Sequence, residues 1–94
     1  MTDDELTLRR TVAAAERARA YIDDPLLTDA FARLEAQYLA GWQATRSDDT
    51  AGREALWHRI KALGMLRLEL NRALEDGAMA KAALAELRDG TDNL

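Results

Sequence analysis

Apolar residues recur along this chain at alternating steps of three and four, the repeat that places side chains on one side of an α-helix. The clearest run is Leu27, Phe31, Leu34, Tyr38, Gly41 and Thr45, widened on both sides by Leu26, Ala30, Leu39 and Trp42. A second run, Leu56, Ile60, Leu63, Arg67, Leu70 and Leu74, has the same spacing. A weaker stripe of Leu8, Val12, Ala15 and Ile22 precedes them. Arg19 interrupts it and alanine supplies part of it, so it carries little burial energy.

Polar punctuation separates these runs. Thr2-Asp3-Asp4-Glu5 predicts the start of a first helix reaching about Ile22, with Thr2 as cap and acidic charge at the positive end of the helix dipole. Asp24 before Pro25 predicts the cap and first-turn proline of a second helix, from 25 to about 46 and roughly 33 Å long at 1.5 Å per residue. Ser47-Asp48-Asp49-Thr50 predicts a tight connection in which Asp49 or Thr50 caps a third helix. That helix is expected to end near Glu75-Asp76, with Gly77 in the left-handed conformation just past its end. Ala78 to Leu87 predicts a short fourth helix, and 88–94 a frayed tail.

The expected fold is therefore all-α, an antiparallel helical hairpin (about 25–46 and 50–76) with a flanking N-terminal helix and a short C-terminal helix. All of 1–94 reads as a single helical domain in which 1–22 is the mobile element. A turn centred on Asp48 and Asp49 sets Trp42 against Leu56, Tyr38 against Ile60, and Leu34 against Gly64 or Leu63. Phe31 then faces Arg67, whose stem is expected to pack on the ring while its guanidinium reaches a carboxylate. Gly41 falls opposite Trp57, and both Gly41 and Gly64 read as positions of close helix approach.

The apolar arcs are wider than one partner helix requires. Trp57, Leu66 and Leu68 extend that of the third helix to roughly 200°, against the ~100° that a single neighbour covers. Leu26 and Leu39 broaden the second helix in the same way. The surplus predicts a homo-oligomer whose self-contact or partner surface comprises Leu26, Phe31, Leu39, Trp42, Trp57, Leu66 and Leu68. The alternative is a monomeric three- or four-helix bundle.

Composition narrows the chemistry. The chain has 94 residues and 10.5 kDa, a length that buries only roughly 60–65% of its unfolded surface, so its core is thin. Alanine, leucine and arginine dominate, as in long helices. No cysteine is present, which excludes a disulfide scaffold and thiolate zinc sites, and the one histidine cannot form an all-histidine metal site. The opening MTDDELTLRR does not resemble a signal peptide, and no stretch approaches the ~20 apolar residues of a membrane span. A soluble, cytoplasmic protein with no membrane partner is expected.

Nothing in the chain assembles an enzyme site. His58 lies outside the seam among Glu54, Lys61 and Glu69, with no positioned nucleophile beside it. Asp23-Asp24 and Asp48-Asp49 sit where caps are required, and the glycines belong to no phosphate-binding loop. No catalytic residue, cofactor or metal is expected. With 13 basic and 17 acidic residues the net charge is −4, yet Ala51 to Glu75 holds Arg53, Arg59, Lys61, Arg67 and Arg72 against only Glu54, Glu69 and Glu75. These five do not form one stripe. A multimer would have to gather Arg59, Lys61 or Arg72 on one surface to make even a weak nucleic-acid contact.

Asp24-Pro25-Leu26-Leu27, Ala30-Phe31, Leu34-Glu35, Tyr38, Trp42 and Thr45 form a run. Asp48-Asp49, Gly52-Arg53-Glu54 and Leu56-Trp57 follow it. Together they resemble small helical proteins encoded by tailed phages, prophages and gene-transfer-agent clusters, over roughly residues 16 to 87. Such proteins tend to lie among head-assembly and DNA-packaging genes. The architecture is also similar to the oligomerising hairpin of small terminase subunits, which form rings, engage viral DNA and stimulate the large packaging ATPase. The resemblance implies a non-enzymatic packaging adaptor whose partners are itself and a larger packaging or head-assembly protein. Small terminases usually carry an N-terminal helix-turn-helix, whereas the stretch before Pro25 offers one helix. The competing reading is a small helical regulatory or inhibitory module that covers another protein.

Overall fold

A computed structural model describes residues 2–92, which form three helices: α1 (Asp3–Ile22), α2 (Pro25–Ala44) and α3 (Thr50–Asp92). The described residues include no strand, so the fold class is all-α. The chain divides into two compact units, one of Met1–Ile22 with Glu69–Leu94 and the other of Asp23–Leu68.

Local chemistry sets the helix starts. The Glu5 N–H donates to Thr2 Oγ1 at 3.1 Å, satisfying one of the free donors of the first turn of α1. At α2, Asp24 is extended and its carboxylate accepts from the Leu26 N–H at 2.9 Å, while Pro25 occupies the first turn, where its missing donor costs nothing. Asp49 caps α3 by accepting from the Gly52 N–H at 3.0 Å. Helix α2 stops at Ala44, because Thr45 is extended and returns both its N–H (3.2 Å) and its hydroxyl (2.6 Å) to the Trp42 carbonyl.

Helix α3 departs from expectation. It runs unbroken for 43 residues, so no helix ends at 76 and no separate fourth helix follows. Gly77 is buried within it, and no glycine among the described residues has a positive φ. One glycine costs about 1 kcal/mol in a helix, less than stopping and nucleating a new helix over the strong helix formers that follow. The frayed tail expected from 88 is helical through Asp92, while Asn93 and Leu94 lie outside the described residues.

In the first unit, α1 packs on the last part of α3 through small side chains. Ala18 and Ala80 are its buried apolar residues. A Cβ on Gly77 would collide with that of Ala15 and would lie 3.6 Å from the Ala15 Cα and 3.7 Å from the Thr11 carbonyl oxygen. The glycine thus serves close helix approach rather than termination.

In the second unit, contacts between α2 and the first part of α3 pair falling numbers with rising ones. Arg53 covers Trp42, Leu56 lies against Gly41, Arg59 extends toward Tyr38, and Arg67 sits over Phe31. Phe31 is the unit's buried apolar residue. Two glycine expectations are corrected. A Cβ on Gly41 would lie 3.4 Å from both Leu56 methyls, so Leu56 rather than Trp57 is its neighbour, and Gly64 faces open space. Of the surplus apolar arc of α3, Trp57 and Leu68 share the Gly64 side by helical phase, and Leu66 lies on the other side of the seam.

Candidate interaction surface

The residues facing across the second unit leave a second stripe uncovered. On α3, Leu56, Ile60, Leu63 and Arg67 mark the seam toward α2, and Trp57, Gly64 and Leu68 repeat at steps of seven and four about a quarter-turn away. Trp57 is 49% exposed and Leu68 64%. Given the order of contacts between α2 and α3, helical phase places Leu39, 50% exposed on α2, on the same side as Trp57 and Leu68. Leu26 and Leu66 fall on the opposite side, also exposed. The expected interface residues thus divide between two sides of one helix pair.

Two of them do not belong to a free surface. Phe31 is 8% exposed, buried within its own unit beneath the Arg67 guanidinium, whose centre lies 5.1 Å from the ring. At that exposure it offers little surface to a partner. Trp42 is half-buried, with the Arg53 guanidinium 4.0 Å from its ring centroid. Arg53 also donates to Thr45 Oγ1 at 3.1 Å, so ring, cation and C-cap hydroxyl form one cluster that ties the end of α2 to the start of α3.

The basic residues are largely engaged. Four of the five aromatic rings carry a cation: Arg53 over Trp42, Arg59 6.0 Å from Tyr38, Lys61 4.9 Å from Trp57 and Arg67 over Phe31. Arg67 also reaches Glu35 at 2.6 Å, the expected carboxylate contact, while the guanidinium rather than the stem is what lies over the ring. Both partners of that pair are more than two-fifths exposed, so solvent screens it to about 1 kcal/mol or less. Arg72 pairs with Glu69 at 3.1 Å. Arg59 and Lys61 point about 160° apart by helical phase, so they do not converge on one phosphate track. Periodicity set Arg67 against Phe31 but gave no sign of the pairs made by Arg53, Arg59 and Lys61.

His58 is exposed, with its ring edge-on to Trp57 at a centroid distance of 5.3 Å. No group of three or more His, Asp or Glu side chains converges to hold a metal ion among the described residues. No described helix is long and apolar enough to cross a membrane. Compared with protein-family models, curated proteins and solved structures, the chain matches none.

Proposed function

We propose that the chain is a non-enzymatic assembly component of a phage-like particle, a small-terminase-like DNA-packaging adaptor that multimerises in the cytoplasm and contacts a large motor subunit. The antiparallel α2–α3 pair is its self-association element. One observation carries this reading. The unit Asp23–Leu68 buries only Phe31 among its apolar side chains, yet exposes Leu26, Leu34, Leu39, Trp57, Met65, Leu66 and Leu68. Exposed apolar patches beyond a few hundred Å² mark interaction sites, and a second copy offers a cover of matching size and chemistry. The resemblance of the 24–57 run to phage head and packaging proteins supplies the packaging context. Engagement of the α3 cations with rings favours contact with protein over direct grip on DNA.

The mass in solution tests self-association. Light scattering at high micromolar concentration should give a multiple of 10.5 kDa, and Leu39→Glu with Trp57→Glu should lower it. A mass of 10.5 kDa for the unaltered chain overturns the reading. Addition of the multimer to a large packaging ATPase of a tailed phage should raise ATP hydrolysis. A multimer without that effect removes the adaptor role and leaves the regulatory module.

A further inference from the structure

We infer that the groove between α1 and the last part of α3 is a docking site for one amphipathic helix with acidic flanks, contributed by a partner protein. This site lies wholly within the unit Met1–Ile22 with Glu69–Leu94 and stands independently of the packaging reading.

The groove is continuous. One hollow of about 590 Å³ is lined by Leu84, Ala85 and Leu87, with Arg9, Lys81 and Arg88 around it. Another, of about 370 Å³, is lined by Val12, Ala15, Leu74 and Ala78 and shares Lys81 with the first. Between them a smaller hollow joins Arg9 and Leu84 to Val12. Along α1 the walls run from Glu5 to Arg19, roughly 21 Å at 1.5 Å per residue, the length of about four helical turns. The unit has no bulky core to close this space, because α1 and α3 meet through Ala18, Ala80 and the Gly77–Ala15 contact. The close approach of the backbones leaves leucine side chains to form the floor of a groove, the arrangement that receives a helix through anchors at i, i+3, i+4 and i+7.

Charge selects the occupant. The rim carries Arg9, Arg19, Lys81 and Arg88 against Glu5 and Glu16, a positive balance on a chain whose net charge is −4. Arg9, Lys81 and Arg88 have no ion pair among the described residues. A second copy placed groove to groove would set this positive rim against itself. An entering helix with leucines on one face and carboxylates beside them satisfies both floor and rim.

The test uses the full chain and a fluorescein-labelled designed helix of about 18 residues, with leucines at steps of four and three and glutamates flanking them. Its twin carries lysines in place of the glutamates. The acidic helix should bind with micromolar affinity that weakens as salt rises. The double variant Arg9→Glu with Lys81→Glu should bind it at least about tenfold less tightly while circular dichroism shows the helices retained. Equal binding of the two peptides, or no binding of the acidic one up to millimolar concentration, overturns the proposal. So does a lower solution mass for Leu84→Glu than for the unaltered chain, which would assign the groove to another copy. Leu39→Glu with Trp57→Glu should leave peptide binding intact, which separates failure of this site from failure of self-association.

Discussion

Gly64 and Gly77 lie on one helix and have opposite requirements. At Gly64 an added methyl meets nothing, so Gly64→Ala should stabilise the fold by about 0.5–1 kcal/mol through helix propensity. At Gly77 the same methyl collides with Ala15, and Gly77→Ala should cost about 1–3 kcal/mol. Urea denaturation of both variants measures the contrast, and equal shifts would refute the packing assigned to Gly77. Composition and spacing cannot separate these two residues. Each breaks an otherwise good helix, and only the partner across the contact tells which breakage is required. Arg67 was more legible, because a charge in the middle of an apolar seam has few ways to reach solvent except along a ring.

At the scale of the element, caps carried the readable information. Asp24 before Pro25 marks the start of α2, and the 2.9 Å bond from the Leu26 N–H is the physical reason. Asp24→Ala should therefore destabilise the protein by about 1 kcal/mol, read from the urea midpoint, whereas Asp24→Ser should recover most of the loss. The helices and the turn at Ser47-Asp48-Asp49 follow from such local rules. The end of α3 does not. Glu75-Asp76-Gly77 has the composition of a helix stop, but the packing of Gly77 against α1 is a long-range contact that local rules do not contain. The outward apolar stripe is visible as surplus arc, while the sides on which Leu26 and Leu39 fall depend on the order of contacts between α2 and α3. The groove of the first unit is not legible in periodicity, because the small residues of α1 signal weak burial and not the space they leave open.

For the whole molecule, the two units share α3 yet meet their neighbours by different chemistry. One unit holds its helices together with alanine and glycine and exposes a positively rimmed groove. The other holds them with cation-covered rings and exposes leucines and a tryptophan. The fixed covering of one indole and the open setting of the other give the chain a built-in optical signal. Trp42 sits under Arg53 at the turn, whereas Trp57 is half open to water beside Lys61. Iodide should quench the emission of Trp57 strongly and that of Trp42 weakly. If copies associate through this side, dilution should shift the emission of a Trp42→Phe variant toward the red, and an unlabelled sample would report its own assembly.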